Sequence, residues 1–102
     1  MPYIKQEQRD LLGVELDNLI YRILSTTPYD TINHDVMSGT INYVITQIVN
    51  RCMIRNEPKY DKINSVVGVL ECVKLEMYRR LASKYEDQAI KNNGDIKIYE
   101  LL

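Results

Sequence analysis

The stretch from Tyr60 to Gly94, YDKINSVVGVLECVKLEMYRRLASKYEDQAIKNNG, contains no proline and carries apolar residues on more than one helical face. Its length and periodicity predict one long helix, kinked or straight, that ends at Asn92-Asn93-Gly94. A helix with two apolar faces needs neighbours on both sides. Those neighbours could come from the same chain, from a second copy or from a ligand.

The two faces of this helix differ in composition. The main stripe is expected to pack on the earlier helices, and it contains Ile63, Val66, Val67, Leu70, Val73, Met77 and Leu81. A second seam contains Gly68, Cys72 and Leu75, with Arg79 below them, and its small residues would let another backbone come close. The seam predicts a homo-oligomer, most simply a dimer, although contact with the first helix of the same chain explains it equally well.

Two shorter helices are expected before the long one. The first runs from about Gln6 to Leu24, and Gly13 either divides it or weakens it by roughly 1 kcal/mol. Its apolar stripe contains Leu12, Leu16, Leu19, Ile20 and Ile23, and Pro28 follows its end. The second starts after an N-cap at Ser38, and its stripe contains Ile41, Val44, Ile45, Ile48, Val49 and Cys52.

The remaining segments are short and polar. The stretch from Tyr29 to Met37 has no sustained period, so it is expected to be a loop and could form the lip of a site. After Gly94, residues 95–99 alternate apolar and polar, which predicts an extended tail or one short strand. Together these patterns predict a single all-α domain over residues 1–102: a small helical bundle with one long C-terminal helix and an extended C-terminal tail.

The charge balance disfavours nucleic acid as a partner. The chain has 13 Lys and Arg against 14 Asp and Glu, so no global positive field would hold it on a duplex. The C-terminal half is the more basic one. A solvated basic face is the simplest interpretation of that asymmetry.

The cysteines and the N-terminus predict a soluble, cytoplasmic protein. Cys52 and Cys72 lie inside apolar helical patterns and form no C-x-x-C pair, so they are expected to be reduced thiols in the core. The first residues, Met1 to Glu7, are too polar for a signal peptide. No apolar run approaches the ~20 residues of a membrane-spanning helix.

Neither catalytic nor metal-binding motifs are found in the sequence. His34 and Asp35 are adjacent, and adjacent side chains rarely form a base and its orienting carboxylate; no Ser or Cys occupies a recognisable nucleophile motif. One histidine and two distant cysteines do not make a zinc site, and the isolated glycines do not make a phosphate-binding loop. We therefore expect a protein that is not an enzyme and has no metal or cofactor.

One polar cluster has the chemistry of an anion site. It contains Lys74, Tyr78, Arg79, Arg80, Lys84 and Tyr85, and Arg9 could join it if the N-terminal segment folds over the long helix. Guanidinium groups hold phosphate bidentately, and tyrosine rings can stack on a base. The alternative is a solvated surface with ion pairs such as Glu71 with Lys74 and Glu76 with Arg80.

Several short motifs along the chain resemble one family of proteins. They are Met1-Pro2-Tyr3-Ile4 with Gln6, Glu7 and Arg9, then Ile41-Asn42-Tyr43, then Gly68-Val69-Leu70-Glu71 with Lys74, Tyr78-Arg79-Arg80, Tyr85-Glu86-Asp87, Lys91 and Asn93-Gly94-Asp95. On these residues the chain resembles short uncharacterised proteins that are widespread in tailed phages, prophages and bacteria. The resemblance covers nearly the whole chain, and it implies action in the host cytoplasm if the protein is phage-encoded.

Two functions are consistent with these observations. The first is a non-catalytic phage-type binding protein that captures a small anionic, nucleotide-derived signalling molecule and so acts against host defence. The second is a helical protein–protein interaction module that binds a host or phage protein. The first places the site at the Tyr-Arg cluster. The second places it on the exposed face of the long helix.

Overall fold

The computed structural model describes residues 2–27 and 34–102, without the side chain of His34. Its helices are α1 (Gln6–Thr26), α2 (His34–Val49), α3 (Tyr60–Met77), α4 (Ser83–Asn93) and the short α5 (Lys97–Glu100), with π-helical segments at Asn50–Ile54 and Tyr78–Ala82. Within the described ranges there is no β-strand. The all-α class predicted from the sequence is therefore confirmed.

The chain divides into two units, Met1–Val66 and Val67–Leu102. The first contains α1, α2 and the start of α3. The second contains the rest of α3, the second π segment, α4 and α5.

Helix α1 is continuous through Gly13. Its N-terminus follows Lys5, which is extended, and the Arg9 side chain donates from Nε to the Ile4 carbonyl over 2.8 Å. At its C-terminus, the hydroxyls of Ser25 and Thr26 both donate to the Arg22 carbonyl, at 3.1 and 2.6 Å. Both are local side-chain-to-backbone bonds, of the kind that Ser and Thr make to a carbonyl three or four residues earlier in a helix.

Replacing Gly13 by alanine is expected to stabilise the protein by about 0.5–1 kcal/mol. A Cβ at this position meets nothing within 4 Å, so the substitution removes glycine's unfavourable backbone entropy without a clash. Urea unfolding followed by circular dichroism measures the change. A loss of stability would contradict the continuous helix and indicate a break at Gly13.

Helix α2 begins at His34 and not after Ser38, so the predicted N-cap is wrong. Asp35 lies in the first turn, where its carboxylate interacts favourably with the positive end of the helix dipole. Residues 34–37 of the predicted loop are therefore helical. Pro28 and the rest of that loop, residues 29–33, lie outside the described residues.

The end of α2 is fixed by a π turn and a lysine. The Arg55 N–H donates to the Asn50 carbonyl over 2.9 Å, and Arg55 and Asn56 both have positive φ, at 57° and 63°. Lys62 Nζ lies 3.2 Å from the Ile54 carbonyl oxygen and 3.3 Å from Glu57 Oε2, and its side chain is 28% exposed. A cation at this position satisfies the last carbonyls of the helix and complements its negative end.

The predicted long helix is present from Tyr60 to Asn93, as α3, the π segment and α4. Gly94 ends it with φ 90° and ψ 153°, a conformation that is nearly exclusive to glycine. Asp95 and Ile96 are non-helical as expected, and the Asp95 side chain accepts the Ile96 N–H at 2.7 Å. Lys97–Glu100 then forms a helical turn, so the predicted extended tail or short strand is wrong for these residues. A lone strand would have no partner for its backbone.

The expected burial of the apolar stripes does not occur. Among the described residues only Thr27 is buried, and every large apolar side chain of the second unit is at least 39% exposed. The main stripe of the long helix is exposed as well, apart from the half-buried Val66. Cys52 and Cys72 are free and exposed, so their predicted place in a core is also wrong. The periodicity predicts which residues share a face of a helix. It does not predict which other surface would pack on that face.

Candidate functional site

The Tyr-Arg cluster (Lys74, Tyr78, Arg79, Arg80, Lys84 and Tyr85) lies in the second unit. It extends from the end of α3 through the π segment into the first turn of α4, and all its members are exposed. Arg9 lies in the first unit, where its guanidinium contacts the Ile4 carbonyl. The six residues of the cluster all belong to the second unit, and Arg9 does not.

Two cations of the cluster are paired with carboxylates one turn away. Lys74 Nζ lies 3.2 Å from Glu71 Oε1, which is the pair expected from the sequence. Arg79 donates to both carboxylate oxygens of Glu76, from Nη2 at 2.8 Å and from Nε at 3.3 Å. The sequence predicted Arg80 as the partner of Glu76, and this prediction is wrong. The bidentate pair leaves Arg79 less available to an external anion.

The hydroxyl of Tyr78 donates to Glu86 Oε1 over 2.7 Å. In a regular α-helix, two residues that are eight positions apart are separated by about 80° around the axis. Tyr78 and Glu86 would then lie on different faces. The intervening π segment, in which the Ser83 N–H donates to the Tyr78 carbonyl, adds a residue to one turn and removes about 100° of rotation. It therefore brings Tyr78 and Glu86 onto the same face.

This contact changes the acidity of the phenol. The hydrogen bond to Glu86, its negative charge and slight desolvation all raise the pKa of Tyr78 above its ordinary value of 10.0. Because the folded-state pKa is raised, the stabilisation from this contact is fully present below pH 10. It is lost as the pH rises through the raised value.

Replacing Glu86 by glutamine is expected to lower the pKa of Tyr78 toward 10. The glutamine carbonyl oxygen can still accept the hydrogen bond from the Tyr78 hydroxyl, but the negative charge that helps to raise the pKa is removed. Ring-carbon NMR shifts of the eight tyrosines over an alkaline pH series would measure this change. The matched control is Asp87→Asn, which removes the adjacent carboxylate and should leave the Tyr78 titration in place. An unchanged Tyr78 pKa in Glu86→Gln would show that the contact does not form in solution.

Arg80, Lys84 and Tyr85 form the open part of the cluster. Among the described residues, neither Arg80 nor Lys84 pairs with a carboxylate. They are four residues apart with part of the π segment between them, so the two cations lie about one helical turn apart along the chain. Tyr85 follows directly, and it is 79% exposed. This open surface offers two cations and an aromatic ring to the solvent.

A surface groove that was not found from the sequence lies beside the C-terminal end of α4. Its volume is about 410 Å³, and residues of α4, of the turn at Gly94 and of α5 line it, among them Glu86, Ile90, Asn93, Asp95, Ile96 and Tyr99. The groove is largely apolar, and its charged groups are carboxylates, so it suits an apolar or cationic group better than an anion. The turn signal at Asn93-Gly94, followed by apolar Ile96 and Tyr99, could have indicated such a concave surface.

Neither a metal centre nor a membrane-spanning helix is found among the described residues. In residues 2–27 and 34–102, no three His, Cys, Asp or Glu side chains lie close enough together to hold a metal ion. None of the helices in these ranges is long and apolar enough to cross a membrane.

Comparison with known proteins gives a family and no function. No curated protein and no solved structure matches the chain. One family model, described as a domain of unknown function and called DUF6899, matches residues 1–96. Since the match covers nearly the whole sequence, the chain belongs to the DUF6899 family of uncharacterised proteins.

Proposed function

We propose that this protein is a non-catalytic binding protein of phage type that captures a small phosphate-bearing, nucleotide-derived ligand through Arg80, Lys84 and Tyr85. The supporting observation is that some cations of the Tyr-Arg cluster are paired with carboxylates and others are not. Lys74 and Arg79 are paired with Glu71 and Glu76, while Arg80 and Lys84 have no carboxylate partner among the described residues. An external anion would complete the coordination of these two cations.

The two cations have complementary roles in this proposal. The planar guanidinium of Arg80 can donate two parallel hydrogen bonds to phosphate oxygens, and the ammonium of Lys84 acts as a compact positive charge about one turn away. Tyr85 offers a ring for stacking on a nucleobase, an interaction worth about 1–3 kcal/mol per base. The paired residues Lys74 and Arg79 and the bonded Tyr78 then form the rim of the site.

The proposed biological setting comes from the resemblance to phage and prophage proteins, carried by motifs such as Tyr78-Arg79-Arg80 and Tyr85-Glu86-Asp87. A small protein without catalytic groups can act in the host cytoplasm by lowering the free concentration of a signalling molecule. Sequestration needs only tight binding and sufficient protein, so it suits a chain of 102 residues.

A thermal-shift panel of mononucleotides and cyclic nucleotides tests this function. A ligand that binds only the folded state stabilises it by about 2.7 kcal/mol when present at 100 times its dissociation constant. The double variant Arg80→Ala/Lys84→Ala should lose the shift, and Lys91→Ala, an exposed lysine further along α4, should keep it. The proposal fails if no nucleotide shifts the transition of the unsubstituted protein.

A second candidate function, docking onto a host or phage protein, is favoured by a different observation. Every large apolar side chain of the second unit is at least 39% exposed, and Leu75 is 55% exposed. Exposed apolar area on helices is typical of surfaces that pack against a partner helix. A pull-down of a host or phage protein that is lost in Leu75→Glu and kept in Arg80→Ala/Lys84→Ala would support this function over the first.

A further inference from the structure

The groove beside the C-terminal end of α4 carries negative charge that the chain does not neutralise. Its volume of about 410 Å³ is in the range of small-molecule sites. Two carboxylates line it, those of Glu86 and Asp95. Among the described residues, neither forms an ion pair with a lysine or an arginine. A cation from outside the chain would neutralise them.

Each of these carboxylates is held by one hydrogen bond from the chain. Glu86 Oε1 accepts the Tyr78 hydroxyl at 2.7 Å, and Asp95 Oδ1 accepts the Ile96 N–H at 2.7 Å. Neither carboxylate accepts a further hydrogen bond from the part of the chain that the structure describes. Because an ionised carboxylate has about four acceptor positions on its two oxygens, both side chains are oriented and still have positions for a ligand.

The two carboxylates lie toward opposite ends of the groove. Glu86 and Asn93 both line it, and they are seven residues apart in the continuous helix α4, which corresponds to about 10 Å along the helix axis. Asp95 follows Asn93 past the turn at Gly94. Between Glu86 and Asn93, Ile90 contributes an apolar side chain to the groove. The groove therefore has an apolar middle and a negative charge toward each end.

This arrangement selects for one class of ligand. An anion would be repelled by both carboxylates, and a single metal ion could not contact two groups on the order of 10 Å apart. A linear chain with an ammonium group at each end matches both charges, and its carbons bury apolar area against Ile90, Ile96 and Tyr99. A chain of eight carbons with two terminal amines has nine single bonds of about 1.5 Å, which at tetrahedral angles span roughly 11 Å.

We propose that this groove binds a protonated linear aliphatic polyamine, with one ammonium group at Glu86, another at Asp95 and the alkyl chain against Ile90 and Ile96. The proposal goes beyond the proposed function and does not depend on it. The two sites take ligands of opposite charge through different residues, so the failure of either leaves the other in place.

An NMR titration of the unsubstituted protein at neutral pH tests the fit with three probes. Diaminooctane has two ammonium groups separated by eight carbons, putrescine has two separated by four, and octylamine has one. We expect diaminooctane to shift the Ile90 methyl and Tyr99 ring signals and to bind at least ~3-fold tighter than either of the others, since an exposed ion pair contributes up to about 1 kcal/mol. Equal affinity for octylamine or putrescine would overturn the contact with both carboxylates. The absence of shifts at Ile90 and Tyr99 would overturn the site.

A pair of variants separates the groove from general charge attraction. Glu86→Gln/Asp95→Asn keeps a carbonyl acceptor for both internal hydrogen bonds and removes both charges, so diaminooctane should bind at least ~10-fold more weakly. The matched control, Asp87→Asn/Glu100→Gln, removes two exposed carboxylates of the same unit that do not line the groove, and it should lose less than ~3-fold. Equal weakening by the two variants would overturn the proposal. The comparison of the three probes needs no substitution, so it decides the matter even if a variant does not fold.

Discussion

Substitution of Val73 by proline is expected to lower the free energy of unfolding by about 3 kcal/mol or more. Val73 lies in the interior of α3, and a proline there removes the N–H that bonds to the carbonyl four residues earlier and clashes with that carbonyl. It also disfavours the helical conformation of Cys72. Every large apolar side chain of the second unit is substantially exposed, so tertiary packing in that unit offers little to offset the loss.

The control for this prediction is Val73→Ala, which keeps the backbone bond. The Val73 side chain is 48% exposed, so its truncation removes little buried area and should cost less than about 1 kcal/mol. Urea unfolding of both variants at one protein concentration gives the comparison, since self-association would otherwise shift the apparent stability. Equal stability of the two variants would show that Val73 is not in a continuous helix in solution.

The extent of the long helix was predictable because its signals are local. The absence of proline from Tyr60 onward and a glycine at position 94 are features of the chain itself, and the helix has the predicted limits. The π segment at Tyr78–Ala82 was not predictable. Its residues are ordinary helix formers, and nothing in their order separates a π turn from an α turn. The Tyr78–Glu86 bond depends on that turn, so it was not predictable either.

Burial could not be predicted from periodicity. The pattern correctly identified which residues share a face of α3, but Leu75 and Cys72 are exposed, and so are most residues of the main stripe. Whether a face becomes buried depends on a second surface, which the periodicity of one helix does not specify. The same reasoning failed for the start of α2, where a polar first turn was interpreted as a loop.

The ion pairs of the candidate site were predictable only in part. Glu71 with Lys74 was predicted correctly, but Glu76 has basic residues both three and four positions later, and it pairs with Arg79. Sequence spacing allows both partners. The choice matters because it leaves Arg80 as the arginine of the cluster that lacks a carboxylate partner among the described residues. We therefore place the proposed anion site at Arg80, Lys84 and Tyr85.

Reversing the charge of Arg80 and Lys84 together, as Arg80→Glu/Lys84→Glu, is expected to weaken nucleotide binding at least ~100-fold. Hydrogen bonds to charged groups contribute about 1.5–3 kcal/mol each, and a tenfold change in affinity corresponds to about 1.4 kcal/mol. Loss of two such contacts alone reaches this range, and repulsion between the new carboxylates and a phosphate adds to it. Isothermal titration with the nucleotide that gives the largest thermal shift measures the change.

The control must separate local contacts from net charge, because the double reversal makes the whole protein four charges more negative. Lys91→Glu/Lys97→Glu changes the net charge by the same amount in the same unit, at exposed positions outside the proposed site. If the site is local, this variant should lose less than about tenfold in affinity at physiological salt, where the Debye length is ≈ 8 Å. Equal weakening by the two variants would indicate long-range attraction instead of a site at Arg80 and Lys84. Selective weakening by the first would support a phosphate site at Arg80 and Lys84, beside the π segment.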